Sequence, residues 1–234
     1  MTLKLNLGCG RVQFPLDPNA DSPYPEHLHH MPAEVFEPGW VNIDKYAIPG
    51  VDEAVDLFRF PWIRSSNGSP WNDDSVDLIW CGHIVEHVPH LVAVADNVPP
   101  RMHAEYWRMV NNLDGFFVFF AEAYRLLRPG GRMHVRVPYA LSIAALSDPT
   151  HTRYITPGTF SYLQNDGRDR APFDYRLPMN FEIQVPYNMR TTGALTKNAA
   201  HYTPEGLAHL MASQFGVVDE LQVDLVAIKE GSEP

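Results

Sequence analysis

The first ten residues constrain the fold most. Lys4-Leu5-Asn6-Leu7 is a short apolar strand pattern that runs directly into Gly8-Cys9-Gly10. A glycine-x-glycine turn closing a first strand lets the backbone approach a ligand closely and leaves N–H groups directed into the cleft above the strand ends. The same glycines also suit a plain tight turn, so the pattern needs a partner. An acidic residue at the tip of a second strand is the expected one, because a carboxylate there can hold ribose hydroxyls. Trp40-Val41-Asn42-Ile43-Asp44 supplies it, with Asp44 at the tip.

Further strand patterns follow at Val51 to Leu57, Val76 to Trp80 and Arg132 to Val137, with late ones at Phe181 to Val185 and Leu221 to Ile228. Helical segments are expected from Ile84 to the break at Pro89, from Met102 to Asn111 and from Phe116 to Leu127. The last is contested, since Phe116-Phe117-Val118-Phe119-Phe120 favours strand. Its pattern nevertheless continues to Leu127 and stops at Arg128-Pro129-Gly130-Gly131, a helix-ending signal. Thr156-Pro157 and Thr203-Pro204 read as helix starts, with Thr as N-cap and Pro at the first position. Strands alternating with helices predict an α/β fold. It is Rossmann-like and doubly wound: a mostly parallel seven-stranded sheet, helices on both faces, and loop or helix insertions.

The chain of 234 residues is long enough for one domain with a sizeable core, here taken as 1–234 with insertions at about 13–38, 89–113 and 141–202. A net charge of −10 argues against general nucleic-acid or anionic-membrane binding. Cys9 and Cys81 do not make a disulfide scaffold. The longest apolar run, Phe116 to Ala121, is too short to span a bilayer. With no signal-peptide pattern at the start, a cytoplasmic protein is expected. His27, His29 and His30 cluster in the first insertion. No cysteine or carboxylate pair flanks them at ligand spacing, so they read as a solvated group.

Four stretches together resemble a class I S-adenosylmethionine-dependent methyltransferase, of the broad group acting mostly on small molecules and glycans. Leu5 to Gly10 resembles the first motif, with Asn6 where Asp or Glu is commoner. Gly39 to Asp44 resembles the ribose-binding motif. Asp73 to Val88 resembles the fourth strand and its following motif, and Glu122 to Val137 resembles the helix-turn-strand after it. These cover about half of the chain, in the right order. Asp148 to Tyr154 resembles a segment after strand five in a subset of relatives, whereas Asp166 to Tyr202 resembles nothing informative.

The resemblance implies S-adenosyl-L-methionine as cofactor, S-adenosyl-L-homocysteine as product, and a small-molecule acceptor methylated on oxygen or nitrogen. It implies cofactor contacts from Leu7, Gly8, Cys9, Gly10, Asp44, Lys45, Asp56, Leu57, Cys81, Gly82 and His83. Asp56 would accept from the adenine amine and Leu57 would cover the ring. In-line methyl transfer needs proximity and exclusion of water, and a general base only for a hydroxyl or protonated amine. His87, His151 and Tyr139 are the candidate bases. His151 suits a loop-bracing role equally well.

Three alternatives carry weight in the sequence. His83-Ile84-Val85-Glu86-His87 spells the H-x-x-E-H of an inverted zinc protease motif, but it immediately follows a buried strand, and no metal is assigned to it. A nicotinamide enzyme would want a third glycine, and residue 13 is Gln. A non-catalytic module, keeping the fold to support a partner, is the alternative of another class.

Overall fold

The computed structural model describes residues 2–16, 32–96, 98–165, 177–191 and 203–229. The strands are β1 (Lys4–Leu7), β2 (Trp40–Asp44), β3 (Glu53–Ala54), β4 (Arg59–Phe60), β5 (Val76–Gly82), β6 (Ala93–Val94), β7 (Leu127–Pro138), β8 (Phe181–Thr191) and β9 (Val218–Ala227). The main sheet has seven strands in the order β3-β2-β1-β5-β7-β9-β8. Pairing is parallel from β3 to β7, while β9 runs antiparallel to both β7 and β8. The expected doubly wound α/β sheet is therefore present.

One face is covered by α2 (Gly115–Leu126), which follows α1 (Pro100–Asn112). The phenylalanine run is helical because burial on nearly every side favours it and Asp114 caps its start, accepting the Phe116 N–H at 2.8 Å. Phe119 and Phe120 pack edge-on against Trp62, Phe160 and Phe181. Glu122 is fully buried on the same helix, and its carboxylate is satisfied by the Trp62 N–H, the Tyr106 hydroxyl and the Arg125 guanidinium. The opposite face packs Phe14, Val35, Trp40, Leu78 and Trp80 together. Towards β7 and β9 that face turns polar. Arg136 and His134 project from β7 onto Glu220 and Asp224 of β9, while Leu221, Val223 and Leu225 alternate into the main core.

Several expectations need correction. The third strand is two residues long, not seven: on either side of it the Asp52 and Asp56 carboxylates accept the backbone N–H groups of Asn42 and Phe58, which competes with strand pairing. The helix expected from Ile84 is a single 3₁₀ turn, Val85–His87, which ends before Pro89. Ala93–Val94 then pairs in parallel with Arg59–Phe60 as a separate two-stranded sheet. The Arg128 to Gly131 stop is real, but it lies within β7, which begins directly after α2. The Thr-Pro starts do open α4 (Pro157–Ser161), after the short α3 (Ile143–Ser147), and α5 (Pro204–Ser213). His27, His29 and His30 lie outside the described residues. No described helix is long and apolar enough to cross a membrane.

Candidate functional site

The carboxyl ends of β1, β2, β5 and β7 share one edge of the sheet, and the expected site residues gather there. Gly8 and Gly10 both take left-handed backbone, with φ +61° and +49°. Gly8 also has no room for a side chain, since its Cβ would fall 2.0 Å from Ile84 Cδ1, whereas a Cβ on Gly10 would meet open space. The Gly10 N–H donates to Asp44 Oδ2 at 2.9 Å, and the Tyr46 N–H to Asp44 Oδ1 at 3.0 Å. One carboxylate therefore ties the glycine turn to the tip of β2 and keeps further lone pairs for hydroxyl donors.

The chain after the turn is pinned by two buried amides. Asn6 donates to Val12 O and to Asn42 Oδ1, while Asn42 bonds both the N–H and the carbonyl of Phe14. Asn6, where an acid is commoner, thus serves to hold the loop. A carboxylate in its place could not donate to either oxygen.

Leu7 and Cys81 are cross-strand partners, and Cys9 lies two residues beyond Leu7. Both cysteines are buried free thiols. Burial, reinforced by the charges of Asp44 and Asp52, pushes Cys9 up to about 11. Burial and the Glu86 charge raise Cys81 as well. Neither is a ready nucleophile. Lys45 pairs with Asp56 across 3.5 Å at the neighbouring strand ends, and Leu57 beside them is buried.

Gly82 ends β5 and His83 follows it. His83 is a non-glycine residue at φ +57°. Its ring stands between two acids, with Nε2 3.0 Å from Glu220 and Nδ1 3.3 Å from Glu86. Burial works against the charged ring, but Glu220 and Glu86 prevail and raise it to about 9. His83 is therefore a cation held in place, not a free base. Glu220 is held at about 2: burial opposes this, and the His83 hydrogen bond and the Arg136 charge outweigh it. Sequence reasoning missed Glu220, which is 137 residues from His83. The signal available was the alternation of Glu220, Gln222 and Asp224 with buried leucine and valine along β9.

His87 and His151 come together, with ring centroids 4.7 Å apart. The segment carrying His151 is strapped to the turn carrying His87. The Thr152 N–H donates to Glu86 O at 2.8 Å, and Arg153 donates to the carbonyls of Val88 and Pro89. Tyr139 stands at the end of β7, its N–H on Asp219 O and its backbone bridged to Ile155. Its hydroxyl makes no hydrogen bond among the described residues.

No family model matches the chain, and no curated protein matches it. Solved structures do match over nearly its whole length. A SAM-dependent methyltransferase from Archaeoglobus fulgidus is similar at 13% identity, covering 96% of this chain and 86% of that one, with a TM-score of 0.50. The YcgJ protein from Bacillus subtilis aligns at 12% identity over 97% and 92%, with a TM-score of 0.48. An S-adenosylmethionine-dependent methyltransferase from Mesorhizobium loti aligns at 15% identity over 96% and 90%, with a TM-score of 0.45. The first likeness shows a shared fold.

Proposed function

We propose that this chain is an S-adenosyl-L-methionine-dependent methyltransferase for a small-molecule or glycan-like acceptor, working on an oxygen or nitrogen atom. The observation that carries it is the Asp44 carboxylate joined to the glycine turn at the carboxyl ends of two adjacent parallel strands. An open α/β sheet binds its ligand at that edge.

The residues fit the cofactor. Open space above Gly10 and spare lone pairs on Asp44 suit a ribose. Lys45, Asp56 and Leu57 stand at the next strand ends, where an adenine amine and ring would meet a carboxylate and an apolar side chain. Leu7, Gly8, Cys9, Cys81, Gly82 and His83 line the way to the acceptor. Ile84, packed on Gly8, gives that stretch an apolar wall. Bound there, S-adenosylmethionine supplies the methyl group: the acceptor–carbon bond forms as the sulfur–carbon bond breaks, the electron pair stays on sulfur, and the acceptor proton leaves.

The chain's own contribution is alignment, dryness and proton removal. His87 and His151 present an imidazole pair beyond β5, on the side away from Asp44. Their Nδ1 atoms are engaged with Thr150 and Ala145, so Nε2 is the atom left to take a proton. Tyr139 stands beside them in the chain path as a weaker candidate. In this reading the chain is a single domain working in the cytoplasm, and the described stretches 89–96, 98–113 and 141–165 of its insertions belong to the acceptor side.

Calorimetric titration with S-adenosylmethionine, S-adenosylhomocysteine and NADH tests this reading. Binding of the first two, but not NADH, is expected. Failure of both would overturn it. Binding without transfer to any member of a metabolite pool would leave the non-catalytic module.

A further inference from the structure

We propose that Glu86, His87 and His151 form a site for a divalent transition metal, with zinc the best-suited ion, on the acceptor side of the cleft. Each residue offers one ligand atom, and the three atoms all lie within 4.8 Å of one another. The set is one carboxylate and two imidazoles, which suits zinc and its neighbours and leaves at least one coordination position open.

Glu86 points most directly to a missing ligand. It is 1% exposed, and neither carboxylate oxygen has a hydrogen-bond partner among the described residues. A buried carboxylate without partners is costly. His83 Nδ1, 3.3 Å from Oε1, compensates part of its charge and satisfies neither oxygen. A cation beside it would answer both needs.

The two imidazoles are already set in the tautomer that metal binding requires. The Thr150 hydroxyl donates its hydrogen to Asp148 Oδ1 at 2.6 Å. It must therefore accept from His87 Nδ1–H, 3.1 Å away. His151 Nδ1–H donates to Ala145 O at 2.9 Å. Neither Nε2 makes a hydrogen bond among the described residues, and His151 Nε2 lies 3.9 Å from Asp148 Oδ2. A ring fixed through Nδ1–H by a hydroxyl or carbonyl is the usual outer support of a metal-binding histidine.

The arrangement differs from the H-x-x-E-H motif that the sequence spells. That motif needs both histidines on one helix, and here it forms a 3₁₀ turn with His83 on Glu220. His151, 64 residues further on, takes the place that the motif gives to its first histidine. An open position on the metal would hold an oxygen donor and lower its pKa, as zinc does with water. The acceptor class is then a hydroxyl compound, and the metal takes over the role of the free base. This last step rests on the methyltransferase reading, whereas metal binding does not.

The full chain, stripped with a chelator, is titrated with ZnCl2 and separately with MgCl2. Zinc binding at one ion per chain is expected. Magnesium, which prefers oxygen ligands, gives no comparable heat. Glu86→Gln, His87→Ala and His151→Ala should each weaken zinc binding by more than the roughly 10–100-fold typical of losing an outer partner, and Thr150→Val by about that range. A triple variant of His27, His29 and His30 to alanine should bind as the parent does. Circular dichroism and melting check each fold. If Glu86→Gln does not fold, the two histidine variants decide. No zinc binding by the folded chain would overturn the site, as would unchanged affinity in His87→Ala and His151→Ala, or loss confined to the triple variant. A chain that takes zinc but not S-adenosylmethionine overturns the functional reading alone. The converse overturns this site alone.

Discussion

Asp44 and Gly10 are joined across 34 residues of sequence, the Gly10 N–H donating to Oδ2 at 2.9 Å. The carboxylate that would hold a ribose is also the clamp of the glycine turn. Asp44→Ala should weaken S-adenosylhomocysteine binding by about 1.5–3 kcal/mol, the cost of losing hydrogen bonds to a charged acceptor. Because two backbone donors lose their partner, the variant should also be less stable, by about 1–2 kcal/mol. Calorimetry and denaturant melts read the two effects separately. Unchanged affinity in a folded variant would remove Asp44 from the site.

The two thiols should be inert. Cys9 and Cys81 are buried, and burial raises both above the usual thiol range. In the native protein at pH 8, iodoacetamide should modify neither at an appreciable rate, while unfolded protein should take two labels. Cys9 lies two residues beyond Leu7, the cross-strand partner of Cys81, and both thiols are free, so non-reducing and reducing mass spectra should agree. Rapid labelling of Cys9 in the folded chain would mean that the glycine turn opens readily.

Glu220 sets an acid limb. Its folded carboxyl is held at about 2, below its ordinary 4.5: burial would raise it, but His83 and Arg136 outweigh burial. The unfolded chain therefore takes up the proton at higher pH than the folded one. The stability that this group contributes is complete above about 4.5 and is lost as pH falls towards about 2. On the order of 2–3 kcal/mol is at stake. Glu220→Gln should flatten that part of the stability–pH curve measured by urea melts. An equally steep limb in the variant would assign it to other carboxylates.

How much of this was legible in the sequence follows from which contacts are local. The glycine turn, the tip of β2, the buried β5 and the helical phenylalanine run are written in adjacent residues, and the structure has all four. The mostly parallel seven-stranded sheet followed from strands alternating with helices, a pattern that leaves few topologies. The turn after β5 was misread, because H-x-x-E-H reads as helix from spacing alone, while Pro89 and the strap from Thr152 and Arg153 cut it to one 3₁₀ turn. Glu220 on His83 and His151 on His87 are pairings across 137 and 64 residues. No local pattern encodes them. Glu86 was seen only as part of a motif, since its burial with neither oxygen hydrogen-bonded among the described residues is a property of the fold.

His151 ties the chemistry to the acceptor side. Its side chain is 7% exposed, its Nδ1–H is committed to Ala145 O, and its ring meets that of His87. A histidine that only braced its loop would need the Ala145 bond and nothing more. Here Nε2 makes no hydrogen bond among the described residues and lies 3.9 Å from Asp148 Oδ2, beside the His87 ring. His151→Ala should therefore lower kcat by about 10²–10⁴, the range for losing a proton-transfer group, while S-adenosylhomocysteine affinity changes little. Loss of stability or of acceptor affinity, with kcat kept, would identify the brace. The two chemical roles then separate on the parent enzyme. If His151 is a free base, chelator treatment leaves kcat unchanged and the pH–rate profile carries a histidine limb that the variant lacks. If His151 holds a metal, chelator abolishes turnover, zinc restores it in the parent, and the variant is not restored at the same zinc concentration. The bound-metal outcome is the one expected, because Glu86 is buried beside the ring pair with neither oxygen hydrogen-bonded among the described residues, and the His83 ring at 3.3 Å from Oε1 is shared with Glu220.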